Sequence, residues 1–261
     1  MVVMKKSLLL LLLALSLTQL WSQSVSKSSA KAKSVEDRNF RIPLIGETAP
    51  SFTAESTNGT INFPSDFGNK WKILFSHPQD FTPVCSTEIL ELAYLQDEFD
   101  KLGVKLAVIS TDPVDMHNQW KKALESLNLN NRGTVKINFP LIGDDNIAIA
   151  RQYGMIHPES NSTRSVRGVF IIDPDNVIQA IYFYPMNVGR STDELVRTIT
   201  ALQTSASQSS AGSHVLAPVN WNSGKDLLVS IPPNTNATKS AEVPAGFYSP
   251  VWFLWFKKAT Q

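Results

Sequence analysis

The chain has 261 residues, 24 basic and 23 acidic, for a net charge of +1, with one cysteine and four histidines. That balance excludes a strongly basic polyanion-binding protein. A single thiol excludes an internal disulfide and the paired-cysteine spacing of a zinc site.

Lys5 and Lys6 precede an apolar core of ten residues, Leu8 to Leu17, and Ser22-Gln23-Ser24 offers small residues before Val25. This pattern predicts a secretory signal over 1–24; its core is shorter than the roughly 20 residues of a membrane span. Residues 25–40 are rich in Ser and Lys, which predicts a leader outside the folded domain. Three N-x-[ST] triplets, at Asn58, Asn161 and Asn236, are candidate N-glycosylation sites in the same secretory reading, which places the protein outside the cell, with the ER lumen as the alternative. In an oxidising compartment an odd thiol is a liability unless it is buried, paired between chains, or used.

The main domain is expected over 41–203. Pro50 to Ala54 and Gly59 to Phe63 read as short strands around a turn, and Trp71 to Phe75 as an apolar strand. Glu88 to Leu102 reads as one helix with Ile89, Leu92, Leu95, Phe99 and Leu102 on one face, stopped by Gly103. Val104 to Ser110 is a further strand, and Asp112-Pro113 is expected to open the next helix with Asp112 as its N-cap. This strand–helix alternation predicts parallel β-α-β units. Asn128 to Gly133 is a polar loop, followed by a short buried segment from Phe139 to Ile142. Asp144-Asp145 are expected to cap a short helix through Tyr153. Gly168 to Asp173 and Val177 to Tyr184 read as a hairpin around Pro174-Asp175-Asn176. Ser191-Thr192-Asp193-Glu194 reads as a capping box.

The five serines of Thr204 to Ser213 predict a linker over 204–213, followed by a small annex over 214–261. The run Val251 to Phe256 has two readings: an apolar strand packed in the annex or against a second subunit, which is favoured, or a weak membrane-interface contact.

Cys85 lies between the Trp71 strand and the following helix, in His77-Pro78-Gln79-Asp80-Phe81-Thr82-Pro83-Val84-Cys85-Ser86-Thr87-Glu88. Taken alone, a lone cysteine is a buried structural thiol more often than a reactive one. The proline-framed loop at a helix entry shifts the balance, because packing does not require it. A free cysteine side chain is only about 3% thiolate at pH 7, and a helix N-terminus supplies about 1 kcal/mol, so a reactive thiol needs a cationic neighbour. His77 is the local candidate; Arg167 and Arg190 are distant ones. Thr82 offers a hydroxyl, and Glu88 can orient an arginine through a bidentate pair. His117 is expected to face solvent on its helix.

Pro78-x-x-x-Thr82-x-x-Cys85 and its surroundings resemble the peroxidatic signature of the peroxiredoxins, closest in type to the one-cysteine subfamily typified by peroxiredoxin 6. The likeness extends more loosely from about Leu44 through Leu202, and weakly through Pro218-Val219-Asn220-Trp221 in the annex. It implies a thioredoxin-like α/β fold, a central mixed sheet flanked by helices, with a small C-terminal annex. It also implies a homodimer and no cofactor. By the same resemblance Cys85 is the peroxidatic nucleophile, Pro78 and Thr82 shape the peroxide pocket, and Arg167 is the essential arginine. His77 then flanks the thiol and Glu88 anchors Arg167. The substrates implied are hydrogen peroxide and organic or lipid hydroperoxides, in antioxidant defence. The sulfenic acid has no second cysteine to resolve it, so the reductant is an external glutathione- or thioredoxin-like thiol. The phospholipase activity of some subfamily members is not expected, because Lys70 and Pro64 replace the serine and histidine, leaving only Asp175. The alternative is a non-enzymatic secreted protein on the same fold, chaperone-like or immune-modulating; a serine hydrolase is disfavoured by Lys70.

Overall fold

The computed structural model describes residues 41–210, 214–230 and 245–259, so the expected signal, the leader and Asn236 lie outside the described residues. The described residues from Ile42 onward belong to one compact unit. Strands β1 (Phe52–Ser56), β2 (Gly59–Phe63), β3 (Trp71–Ser76), β4 (Val104–Ser110), β5 (Leu141–Gly143), β6 (Arg167–Ile172) and β7 (Ile178–Tyr184) form one mixed sheet in the order β2-β1-β5-β4-β3-β6-β7. The β3–β4 and β4–β5 pairs are parallel, as the strand–helix alternation predicts, whereas β3–β6 and β6–β7 are antiparallel.

The helices are α1 (Pro83–Tyr94), α2 (Gln96–Lys101), α3 (Val114–Glu125), α4 (Ala148–Gln152) and α5 (Thr192–Gln208). The central strands are apolar on both faces because helices cover both, so alternate residues feed different cores. Ile73, Phe75, Val169 and Ile171 pack with Leu92, Trp120 and Ile199 from the helices. Leu74, Phe170 and Ile172 point the other way, onto Tyr153 and Ile149. This is the thioredoxin-like layering expected, with a separate small sheet after it.

Several local expectations change. The helix foreseen from Glu88 begins at Pro83, and it breaks at Leu95 into α1 and α2. Pro83 stands at the first helical position, where its missing N–H deprives the helix of nothing. Asp112 does not cap α3; Pro113 occupies that position without a side-chain bond, and the Asp112 carboxylate accepts from Asp80 N–H instead. Asp144 does serve α4, accepting from Ile149 and Ala150 N–H. At α5, Ser191 Oγ accepts from Glu194 N–H, but the Glu194 side chain pairs with Arg197 rather than returning to the cap.

The serine-rich stretch read as a linker is helical as far as Gln208. Tertiary contacts override its composition: Ala201 is buried against the annex, and Ser205 Oγ donates to Val215 carbonyl oxygen. The annex strands β8 (Val215–Leu216), β9 (Leu227–Val229), β10 (Phe247–Val251) and β11 (Leu254–Lys257) form a second sheet in the order β10-β11-β9-β8. Val251 to Phe256 is therefore not one strand. It turns at Trp252 and Phe253, which are 86% and 67% exposed, while Trp255 packs on the annex core of Trp221, Leu227 and Val229. No helix among the described residues is long and apolar enough to cross a membrane.

Gly154, just after α4, has φ +63°, and a Cβ there would stand 2.8 Å from the Ile42 Cα. Gly154→Ala combines a left-handed backbone with a backbone clash, so it is expected to destabilise the protein by about 2 kcal/mol or more. A fall in the urea midpoint measures this; an unchanged midpoint refutes it.

Candidate active site

The parallel β3 strand delivers the His77–Thr82 loop to the start of α1. Thr82 is the extended N-cap residue, and Ser86 N–H closes the first helical bond on its carbonyl oxygen. Cys85, at the third helical position, belongs to the first turn, whose N–H groups have no acceptor within the helix. Its side chain is 0% exposed.

The antiparallel register of β3 with β6 places Phe75 opposite Val169, so the start of β6 lies beside the end of β3. Arg167, the first residue of β6, therefore reaches the loop, 82 residues from Cys85 in sequence, and its Nη1 donates to Cys85 Sγ at 3.3 Å. The same nitrogen donates to Glu88 Oε2 at 2.7 Å, and Nε donates to Met186 carbonyl oxygen at 3.0 Å. Glu88, one turn after the thiol, also receives Arg190: Oε1 accepts from its backbone N–H and Nε, and Oε2 from Nη2, each at 2.8 Å. Arg190 further ties the strand ends together, Nη1 donating to the carbonyl oxygens of Ser76 and Gly168, and its guanidinium lies 3.4 Å from the Phe75 ring centroid. Burial pulls the Arg190 guanidinium below its ordinary value, opposed by the Glu88 hydrogen bonds and charge.

The charge balance is the informative feature. One buried carboxylate faces two buried guanidiniums. One positive charge is left over, and the sulfur is its neighbour. An anion at Cys85 closes the count, whereas an unpaired buried charge is costly.

His77 does not supply the expected cation. It is fully buried against Trp120, ring centroids 5.1 Å apart, and burial pushes its pKa well below the ordinary 6.5, with His117 and both arginines acting the same way. It is neutral near pH 7. Pro78 is buried in the loop, and Thr82 is half-buried with its Oγ1 donating to Gln79 carbonyl oxygen at 2.8 Å. Arg190, foreseen only as a distant cation, is the principal partner of Glu88. His117 does not face solvent: it is fully buried, 2.6 Å from Asp80 Oδ2. Asp80 itself was not singled out.

Asn58 is exposed in the β1–β2 turn with its amide donating to Asn138 carbonyl oxygen, and Asn161 is half-buried with Oδ1 accepting from Thr163 and Arg164. Lys70 and Asp175 are exposed and Pro64 is buried. Among the described residues, no cluster of three or more His, Cys, Asp or Glu side chains is placed to hold a metal ion.

The AhpC/TSA family model matches residues 45–181. A peroxiredoxin of Methanosarcina mazei is 41% identical over 223 residues, covering 84% of this chain and all of the relative. A peroxiredoxin of Thermotoga petrophila is 40% identical, covering 84% and 98%. Among solved structures, the yeast mitochondrial 1-Cys peroxiredoxin, studied for thiol resolution through glutathione and thioredoxin systems, superposes with a TM-score of 0.70 at 35% identity, covering 83% of this chain and 99% of that one. The peroxiredoxin 6 of Arenicola marina gives 0.69 at 31%, covering 84% and 99%.

His77 generates an acid-side prediction. Its folded pKa lies below the unfolded value of about 6.5, so below that pH the unfolded chain binds one more proton and stability falls as pH falls, by at most about 1.4 kcal/mol per unit. His77→Phe is expected to flatten that part of the pH dependence in urea unfolding, and the wild-type His77 ring resonance should not titrate between about pH 8 and 6. A ring resonance titrating near the ordinary value would contradict it.

Proposed function

Because the chain belongs to the AhpC/TSA family, the peroxiredoxins, and is a thiol peroxidase of that family, we propose that Cys85 is its peroxidatic residue and that the protein works as a one-cysteine enzyme. The observation that carries this reading is the contact of Arg167 Nη1 with Cys85 Sγ, made by the guanidinium that Glu88 and Met186 hold in place. The Cys85 thiolate attacks one oxygen of the hydroperoxide, the O–O bond breaks, and the second oxygen leaves as hydroxide or alkoxide and takes a proton. Cys85 becomes a sulfenic acid and the peroxide is reduced to water or an alcohol. Arg167 and the first-turn N–H groups stabilise the charge moving from sulfur to the leaving oxygen. Pro78 and Thr82 frame the peroxide, Glu88 and Arg190 position Arg167, and His77 fills the loop as a neutral group.

Hydrogen peroxide and apolar hydroperoxides are the proposed substrates; the exposed Phe81 and Val188 beside the loop and the Arg190 segment support the second class. With one cysteine in the chain, the sulfenic acid is returned by an external thiol of the glutathione or thioredoxin kind. The N-terminal pattern supports secretion, with Asn58 the more exposed of the two described glycosylation candidates. A homodimer is proposed from the family relationship, and the exposed Trp252–Phe253 turn supports a further contact, with a subunit or a membrane surface.

Intact mass after one equivalent of peroxide is expected to show a Cys85 adduct of about 16 Da that a thiol removes, and one of about 32 Da when thiol is withheld and peroxide is in excess. Cys85→Ser should lose all peroxide reduction, and Arg167→Met should slow Cys85 oxidation by roughly 100-fold or more. An unmodified Cys85 beside a reacting control thiol would overturn the assignment.

A further inference from the structure

Against the Cys85 loop lies a group of buried titratable side chains that the peroxide step leaves unused. Asp80, in the loop, places Oδ2 2.6 Å from Nδ1 of His117 on α3. The other ring nitrogen, Nε2, lies 3.1 Å from the Ile142 carbonyl oxygen on β5. A carbonyl only accepts, so Nε2 carries a proton. Nδ1 then faces a carboxyl oxygen, and their contact is a hydrogen bond only if a second proton lies between them. The pair therefore holds one proton more than a neutral imidazole beside an ionised carboxylate.

The groups around this pair come from two other segments and from the loop itself. Asp112, after β4, accepts Asp80 N–H at 2.7 Å, and Arg164, ahead of β6, pairs with Asp112. His77, in the same loop, stands with Nε2 3.5 Å from Asp80 Oδ1, too far for a good hydrogen bond, and its ring nitrogens and that oxygen have no hydrogen-bond partner among the described residues. Burial pushes the Asp80 carboxyl up from the ordinary carboxylate range, with His117 and Arg164 opposing and Asp112 adding to the rise.

We propose that the proton-bridged Asp80–His117 contact is a latch that positions the Cys85 loop on α3 and sets how often the sulfur becomes accessible to a reducing thiol. The role rests on the reading of Cys85 as the oxidised group. Peroxide presents two oxygen atoms to the sulfur; a reducing thiol brings a whole molecule to it. It must condense with the sulfenic acid, forming a mixed disulfide and releasing water, at a side chain that is 0% exposed. The loop has to move for that. Phe81, next to Asp80, has φ +55° and is 56% exposed, a backbone conformation that a bulky residue leaves unless its neighbours are fixed. Asp80 is the fixed neighbour. Removing the shared proton sets a carboxylate against an imidazole lone pair in a buried site. The latch is thus made while the shared proton is present and released when rising pH removes it, the direction that follows from burial pushing the Asp80 carboxyl up.

The test uses the reduced protein and compares Cys85 modification by a bulky maleimide-polyethylene glycol with that by compact methyl methanethiosulfonate. The ratio of the two rates cancels the thiolate fraction that both reagents share and reads opening alone. In the wild type the ratio should rise toward alkaline pH. His117→Phe should raise it about tenfold or more near neutral pH. Asp80→Asn puts an amide N–H where the bridging proton lies, so it should keep the ratio low and flatten its pH dependence, which a merely structural role would not do. A His117→Phe ratio equal to wild type, or an Asp80→Asn ratio as high as that of His117→Phe, would overturn the latch. If His117→Phe does not fold, the Asp80→Asn profile decides: a flat ratio supports the latch and an alkaline rise equal to wild type overturns it. No peroxide enters the measurement, so its failure is separate from failure of the sulfenic acid adduct to form.

Discussion

The carboxylate of Glu88 is the constraint around which the site is arranged. It is buried on the first turns of α1 and accepts four hydrogen bonds, three from Arg190 and one from Arg167. An ionised carboxylate has about four acceptor positions, so its capacity is used up. Two guanidiniums around one carboxylate leave a positive charge that the protein interior must place somewhere. Arg167, with Nε fixed on the Met186 carbonyl oxygen, turns that charge toward Cys85. Replacing any one member leaves another charge buried without its partner, which is why such clusters tolerate change poorly.

The sheet brings these groups together. Glu88 follows the strand that carries the loop, Arg167 starts the antiparallel neighbour of that strand, and Arg190 bridges the carbonyl oxygens of Ser76, at the end of the first, and Gly168, at the start of the second. Much of this was legible in the chain: the Trp71 strand, the loop, the hairpin around Pro174-Asp175-Asn176, and the types of residue a reactive thiol needs. The partnership of Arg190 with Glu88 was not, because it spans 102 residues and depends on strand register rather than on any local pattern. The start of α1 was marked by Thr82-Pro83, an N-cap residue followed by proline, and only the pull of the apolar spacing placed it later. His117 also left a sign. It shares a helical face with Trp120 and Leu124, three and seven residues on, and all three are buried. A polar residue on an apolar face draws a surface reading until its partner, here Asp80 37 residues away, is known. The serine-rich end of α5 went the other way: composition favoured a linker, and packing against the annex made it helix.

In the proposed mechanism the charge of the Cys85 sulfur and the access to it are set by separate devices. The arginine–glutamate cluster acts on the charge of Cys85 and is built from α1, β6 and the segment before α5. The Asp80–His117 contact acts on the loop and is built from α3 and β5. Both bear on the Cys85 loop, so in the proposed mechanism a thiol that is fully buried in the resting protein serves two reagents of very different size.

The central claim, that Glu88 acts on Cys85 through Arg167, is tested most directly by a double-mutant cycle. The rate of Cys85 oxidation by stoichiometric hydrogen peroxide is measured for wild type, Glu88→Gln, Arg167→Lys and the double variant. The account predicts that both single variants are slow and that the double variant is scarcely slower than the slower of them, because the two residues form one unit. Losses that simply multiply, or a Glu88→Gln rate equal to wild type, would contradict it.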